Sequence, residues 1–350
     1  SRMVSARAIQ ERYPSIKREG LRGGVEYSDG EFNDSRMNVA LATTAAAHGA
    51  AVANHVEVTG LLKEGGQVCG VQVRDRFSGE SWPIRAKVVV NATGPFIDGI
   101  RELDDPDSQS LVVPSAGTHI VVNRELDIPE QHGLLIPKAP NGSVAFIKPF
   151  EGGVLVGTTE EATEITEHPS TTEEQVSYLI DVANHYLEPD RQVTRDDVGA
   201  VWTGIRPLVR DPNDADKNTS SLSRDHIIET SKSGLVTIGG GKWTTFAKMG
   251  RDVIDAASER AELSEKTPDA PTRVIGAHGY RDDLPELLES HFNLSPDIAS
   301  HLAVNYGDRA TDVLALPCRT DSQGQRQRLH PDHPYLESEV RYAVRTEYAL

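Results

Sequence analysis

Leu235-Val-Thr-Ile-Gly-Gly-Gly-Lys-Trp-Thr-Thr245 runs an apolar strand into three glycines and then into a helical stretch reaching about Ala261. Glycines there let a ligand approach the backbone closely. The helix start offers free N–H groups and a partial positive charge. The turn is not a nucleotide-triphosphate P-loop, because position 236 is Val and Lys242 is followed by Trp243. Lys242 in such a turn reads as a functional cation; the plain alternative is a tight strand-to-helix connection. Val88-Val-Val-Asn-Ala-Thr-Gly-Pro95 has a similar form, a buried β-branched run leaving through small residues. Strand ends of this kind are where α/β sheets hold ligands, or they are simple strand exits.

The chain has 350 residues, which suggests two or three domains. Lys+Arg 36 against Asp+Glu 53 gives a net charge of −17, which argues against a nucleic-acid partner held by phosphate contacts. No stretch of about 18 apolar residues suits a membrane-spanning helix. Two cysteines without CxxC spacing disfavour a disulfide framework, and no metal site is expected.

Ala6, Ile9 and Tyr13 have helical spacing, so the chain reads as starting inside a helix; it ends in another with Val340, Ala343 and Val344 on one face. Both ends read as those of a piece of a longer protein. Ser28-Asp29-Gly30 suggests a hairpin turn, and Asp34 or Ser35 caps a helix through Met37, Leu41 and His48. A strand is expected over 51–59, a meander over 61–90 and a linker over 101–110. Short strands alternate with turns from 111 to about 160, an antiparallel pattern. A helix over 172–187, strands near 198–208, 227–230 and 235–239, and a helical remainder after 263–273 complete the reading.

Arg206, in Gly204-Ile-Arg-Pro-Leu, and Arg224, in Ser223-Arg-Asp-His, are each a structural ion pair or an oxyanion ligand; with Lys242 they would suit one small phosphate. His119, in Thr118-His-Ile-Val-Val, is a core histidine or the best-placed proton acceptor. Gly157-Thr158-Thr159 offers hydroxyls to a ligand or is a turn.

Taken in order, Gly24-Val-Glu-Tyr-Ser-Asp-Gly, Asn33-Asp-Ser-Arg-Met-Asn38, Asn91-Ala-Thr-Gly-Pro95, Pro114-Ser-Ala-Gly-Thr-His-Ile-Val121, Gly157-Thr-Thr, Gly204-Ile-Arg-Pro-Leu, Ser223-Arg-Asp-His and Gly239-Gly-Gly-Lys-Trp-Thr-Thr resemble the FAD-dependent glycerol-3-phosphate dehydrogenases of the mitochondrial type. The family's N-terminal G-x-G-x-x-G segment is absent from this sequence. The resemblance implies an α/β plus α+β fold. An incomplete FAD-binding domain of the glutathione-reductase or D-amino-acid-oxidase kind would span 1–100 and 234–260. An antiparallel-sheet substrate domain would span 101–233, and a helical C-terminal domain 262–350. It implies oxidation of sn-glycerol 3-phosphate to dihydroxyacetone phosphate, with electrons passed to a membrane quinone. Arg206, Arg224 and Lys242 would hold substrate, with Thr158 lining the pocket. His119, Lys242 and Arg206 would carry catalysis. Val58, Ala92, Thr93, Gly94, Gly240, Gly241, Lys242 and Thr244 would meet FAD. The implied setting is peripheral on the mitochondrial inner membrane, or on a bacterial cytoplasmic membrane, with homodimerisation left open. A glycerol-3-phosphate oxidase, a related flavin oxidase, or an inactive piece that does not hold FAD are the alternatives.

Overall fold

Helix α1 (Ala6–Arg12) follows strand β1 (Arg2–Ser5), and the Ser5 hydroxyl caps it by accepting from the Ala8 N–H at 3.3 Å. In this computed structural model, residues 1–139, 142, 144–210, 225–263, 272–320, 322 and 324–350 are described. β1 pairs antiparallel with β2 (Gly23–Glu26). The expectation that the chain starts inside a helix is therefore corrected: residues 2–5 are strand, and the helical spacing begins only after Ser5. Ser28-Asp29-Gly30 closes no hairpin either. It lies in the stretch leading to α2 (Asp34–Ala47), which Asn33 caps by accepting from the Arg36 N–H at 3.1 Å.

Strands β3 (Val56–Glu64), β4 (Gln67–Asp75) and β5 (Ser81–Arg85) form a meander sheet in that order. β6 (Val89–Asn91) leads into α3 (Ile97–Asp104), which takes in residues 101–104 of the expected linker. Then come β7 (Val112–Val122), β8 (Leu134–Ile136), β9 (Ala145–Phe150), β10 (Gly153–Gly157) and β11 (Glu161–Ala162). Helix α4 (Glu173–Tyr186), β12 (Val198–Val209), β13 (His226–Thr230), β14 (Leu235–Gly240) and α5 (Phe246–Arg260) follow. Among the described residues that follow are four helices, α6 (Leu284–Phe292), α7 (Pro296–Tyr306), α8 (Ala310–Ala315) and α9 (Glu337–Thr346). Among the described residues no helix is long and apolar enough to cross a membrane.

The largest sheet runs β11-β7-β10-β9-β8, with β12 on the other edge of β7. Its alternation decides its two faces. Ile120, Val122, Ile147 and Val156 are fully buried in one core cluster with Val176, Leu179, Val182 and Ala183 of α4. Each such side chain contributes roughly 1.5–3 kcal/mol on burial. Thr172 and Gln175 form a reciprocal capping box at the start of α4. Gln175 also accepts from the buried Thr118 hydroxyl at 3.0 Å, tying helix to sheet. The opposite face is thereby left for chemistry.

By contacts the chain forms two compact units. The first comprises Ser1–Asp29, Val58–Val73 and Ser81–Thr267 and contains this sheet. The second comprises Gly30–Glu57, Arg74–Glu80 and Pro268–Leu350. Its core is Leu288, Ala299, Leu302, Val313, Leu314 and Leu336. Within it the Arg36 guanidinium grips the Glu347 carboxylate at 2.9 and 2.6 Å and lies 4.4 Å from the Tyr306 ring centre.

Leu179→Ala should lower unfolding free energy by about 2–5 kcal/mol, because the side chain is fully enclosed. Ile254→Ala, at a 48% exposed position, should stay within about 0.5 kcal/mol. Urea unfolding of the two variants measures the contrast.

Candidate functional site

β6 and β14 run parallel, with Val89, Val90 and Asn91 opposite Leu235, Val236 and Thr237. Both therefore leave the sheet at the same end. The small-residue turn Ala92-Thr93-Gly94 and the glycine turn Gly239-Gly240-Gly241 open side by side. α3 and α5 begin just beyond these turns and aim their N-termini at that end. Asn91, 2% exposed, fixes the first turn: its amide donates to the Ile97 carbonyl at 2.9 Å and to Thr237 Oγ1 at 3.3 Å, and it accepts from the Thr93 hydroxyl at 2.8 Å. The second turn packs so tightly that side chains are excluded. A Cβ at Gly239 would lie 2.6 Å from Ile97 Cδ1, and one at Gly240 would lie 2.7 Å from Val209 Cγ2.

Val209 ends β12, which carries the rest of the site on the face turned away from α4. Register places Phe146, Gly157, His119 and Trp202 in one row across β9, β10, β7 and β12. The His119 ring leans over Gly157, where a Cβ would lie 2.3 Å from His119 Cδ2. Trp202 stacks on it at 5.5 Å and 15°, and Phe146 lies at 5.7 Å on the other side. Four residues along β12, Arg206 seats its guanidinium over Gly117, where a Cβ would lie 2.3 Å from Nη1. Arg206 donates to Thr158 Oγ1 at 2.7 Å and to the Thr159 carbonyl at 3.2 Å.

Burial, then the Arg206 charge, then the Lys148 charge press the His119 pKa down to about 4, against a smaller opposing contribution from the Gly117 backbone. The imidazole is therefore neutral near pH 7. Its Nδ1 is buried without a well-formed hydrogen bond, and its Nε2 lies over Gly157.

The structure thus brings His119, Arg206 and Thr158 together. It sets Ala92, Thr93 and Gly94 beside Gly240 and Gly241. Lys242 and Thr244 are exposed just past the glycine turn, where the Lys242 carbonyl accepts from the Thr245 N–H at 2.9 Å. Val58 lies on β3 of the meander sheet. Arg224 lies outside the described residues. Sequence reasoning missed Lys148, Phe146 and Trp202. The alternation of each strand was visible, but the register that puts 146, 157, 119 and 202 in one row was not.

A flavin suits this end of the sheet on the geometry of the turns. Gly94 has φ 59 with nothing within 4 Å of a built Cβ, and Gly240 and Gly241 have φ 73 and 78. Backbone without side chains at two helix N-termini lets a flat ring system and an anionic chain come close.

Residues 1–254 match the model of the FAD dependent oxidoreductases, and residues 270–350 match the C-terminal domain of alpha-glycerophosphate oxidase. The chain is 43% identical over 347 residues to the probable mitochondrial glycerol-3-phosphate dehydrogenase of Caenorhabditis elegans, covering 97% of this chain and 47% of that protein. It is 40% identical over 365 residues to mitochondrial glycerol-3-phosphate dehydrogenase of Homo sapiens, covering 100% of this chain and 49% of that one. The chain thus spans about half the length of these relatives. A solved glycerol-3-phosphate dehydrogenase from Bacillus halodurans, complexed with FAD, superposes with TM-score 0.77 at 28% identity, covering 89% of this chain and 61% of that chain.

A histidine pressed down to about 4 makes acid sensitivity directional. Between pH 6.5 and about 4 the unfolded chain binds a proton at His119 that the folded chain does not. Stability is therefore lost as pH falls through that window, by on the order of 3 kcal/mol in full. His119→Gln should lose less stability between pH 7 and 4.5 than the parent chain, as read by urea midpoints. Equal losses would place the protonation elsewhere.

Proposed function

We propose, starting from the fact that this chain belongs to the FAD-dependent oxidoreductase family, that it oxidises sn-glycerol 3-phosphate to dihydroxyacetone phosphate. The observation that carries this reading is the sheet face itself. Arg206, anchored on Thr158, and the neutral His119 share one face of the sheet, and the strand that bears Arg206 ends at Val209 against Gly239 and Gly240. The names of the relatives and of the FAD-bound structure support the same substrate and cofactor.

In this reading residues 1–100 with 234–260 serve the cofactor, 101–233 the substrate, and 262–350 form the helical part. Ala92, Thr93, Gly94, Gly240 and Gly241 would lie along FAD, with Val58 and Thr244 as further contacts. When bound, the flavin supplies a two-electron acceptor for the hydride on C2. Arg206 holds the substrate phosphate by charge-assisted hydrogen bonds, with Arg224 and Lys242 as further cations. Thr158 keeps the guanidinium aimed. His119 accepts the C2 hydroxyl proton at Nε2, so that proton and hydride leave the same carbinol. A quinone takes the electrons onward, peripherally at the mitochondrial inner membrane. The relatives are named dehydrogenases, which supports an acceptor other than molecular oxygen, although the C-terminal match carries the name of an oxidase.

Arg206→Ala should weaken glycerol 3-phosphate far more than glycerol, since a lost charge-assisted contact costs about 1.5–3 kcal/mol. Comparing kcat/KM for the two substrates in parent and variant tests this. Equal losses on both would make Arg206 a structural residue and remove the phosphate from the reading.

A further inference from the structure

The row across the sheet contains two residues that the reaction does not itself require. Gly157 opposes His119 in register, and a Cβ there would lie 2.3 Å from His119 Cδ2, 2.9 Å from Nε2 and 3.1 Å from Phe146 Cζ. The imidazole thus occupies the space that any larger residue at 157 would fill. On the other side Trp202, also opposite His119, lies nearly parallel to it at 15° and 5.5 Å. Trp202 is itself 39% exposed and is backed by Phe150 at 5.8 Å. A half-exposed indole is not held there by core burial. Its ring contacts among the described residues are to the imidazole and to Phe150.

We propose that Gly157 and Trp202 are positioning residues, the first supplying the gap and the second the stacking wall that hold the His119 ring with Nε2 free for substrate. This rests on the reading of His119 as proton acceptor. The alternative orientations of the half-buried imidazole are closed off. Rotation toward β12 meets the indole, and rotation toward β9 meets Phe146. The charged groups that bear on the ring come from other strands of the sheet, Arg206 on adjacent β12 and Lys148 on β9, two strands away. Neither forms the slot, so slot and charge can be separated by mutation. Positioning of this kind acts on turnover, because a reacting group displaced by about 1 Å can cost about 10²-fold.

The test uses ¹³C-histidine-labelled protein and the flavin-loaded protein in parallel. The ring Cε1–H resonance that disappears in His119→Gln should change its chemical shift in Trp202→Leu. Its titration midpoint should also rise from about 4 toward the ordinary histidine value of about 6.5 as water reaches the ring. Trp202→Phe should keep both closer to the parent. In turnover, Trp202→Leu should lose on the order of 10²-fold in kcat with KM for glycerol 3-phosphate nearly unchanged, and Trp202→Phe should recover most of it. Gly157→Ala should move the same resonance, and Trp202→Leu carries the test if that variant does not fold. A His119 resonance unmoved in Trp202→Leu overturns the slot, as does full kcat in that variant. Failure of the parent protein to oxidise glycerol 3-phosphate would instead overturn the substrate reading, and the resonance would still decide the slot.

Discussion

Parallel pairing of Val89–Asn91 with Leu235–Thr237 joins segments about 145 residues apart and sends both out of the sheet in the same direction. Everything that makes this end of the molecule fit for a ligand follows from that. Two turns of small residues open together, and two helices begin behind them. The packing that keeps the turns narrow is made by Ile97 and Val209 pressing on Gly239 and Gly240. Val209 is also the last residue of the strand bearing Trp202 and Arg206. The glycine end and the face bearing His119 and Arg206 are therefore mechanically one structure, and a displaced β12 would move both.

Electrostatics on that face follow from which groups the sheet buries. Taking an imidazole out of water disfavours its charged form, and two cations elsewhere on the sheet, Arg206 and Lys148, push the same way. The backbone contact from Gly117 opposes them and loses. The outcome is an imidazole that is neutral near pH 7, beside a guanidinium whose partners include the Thr158 hydroxyl and the Thr159 carbonyl. Gly117 and Gly157 serve one purpose at two places. Each removes a side chain so that a functional group from the neighbouring strand can lie flat on the sheet.

Much of this was legible in the residues. The short alternating strands from 111 to about 160, the helical spacing over 172–187 and the glycines that follow the apolar run from Leu235 all state their local structure. The strand expected from Ala51 starts only at Val56, because His55 takes a left-handed backbone at φ 57 that breaks the run. The helical spacing of Ala6, Ile9 and Tyr13 was real, but Ser5 stops it from extending backwards. The slot around His119 was not legible, for a general reason. Trp202 and His119 are far apart in sequence, and cross-strand register depends on long-range pairing that no local pattern encodes.

The most direct measurement is anaerobic absorbance of the purified, flavin-loaded protein on mixing with sn-glycerol 3-phosphate. The oxidised flavin bands should bleach with glycerol 3-phosphate, and glycerol at the same concentration should leave them largely intact. Bands that persist with glycerol 3-phosphate, or that bleach equally with glycerol, would contradict an Arg206-centred phosphate site serving His119.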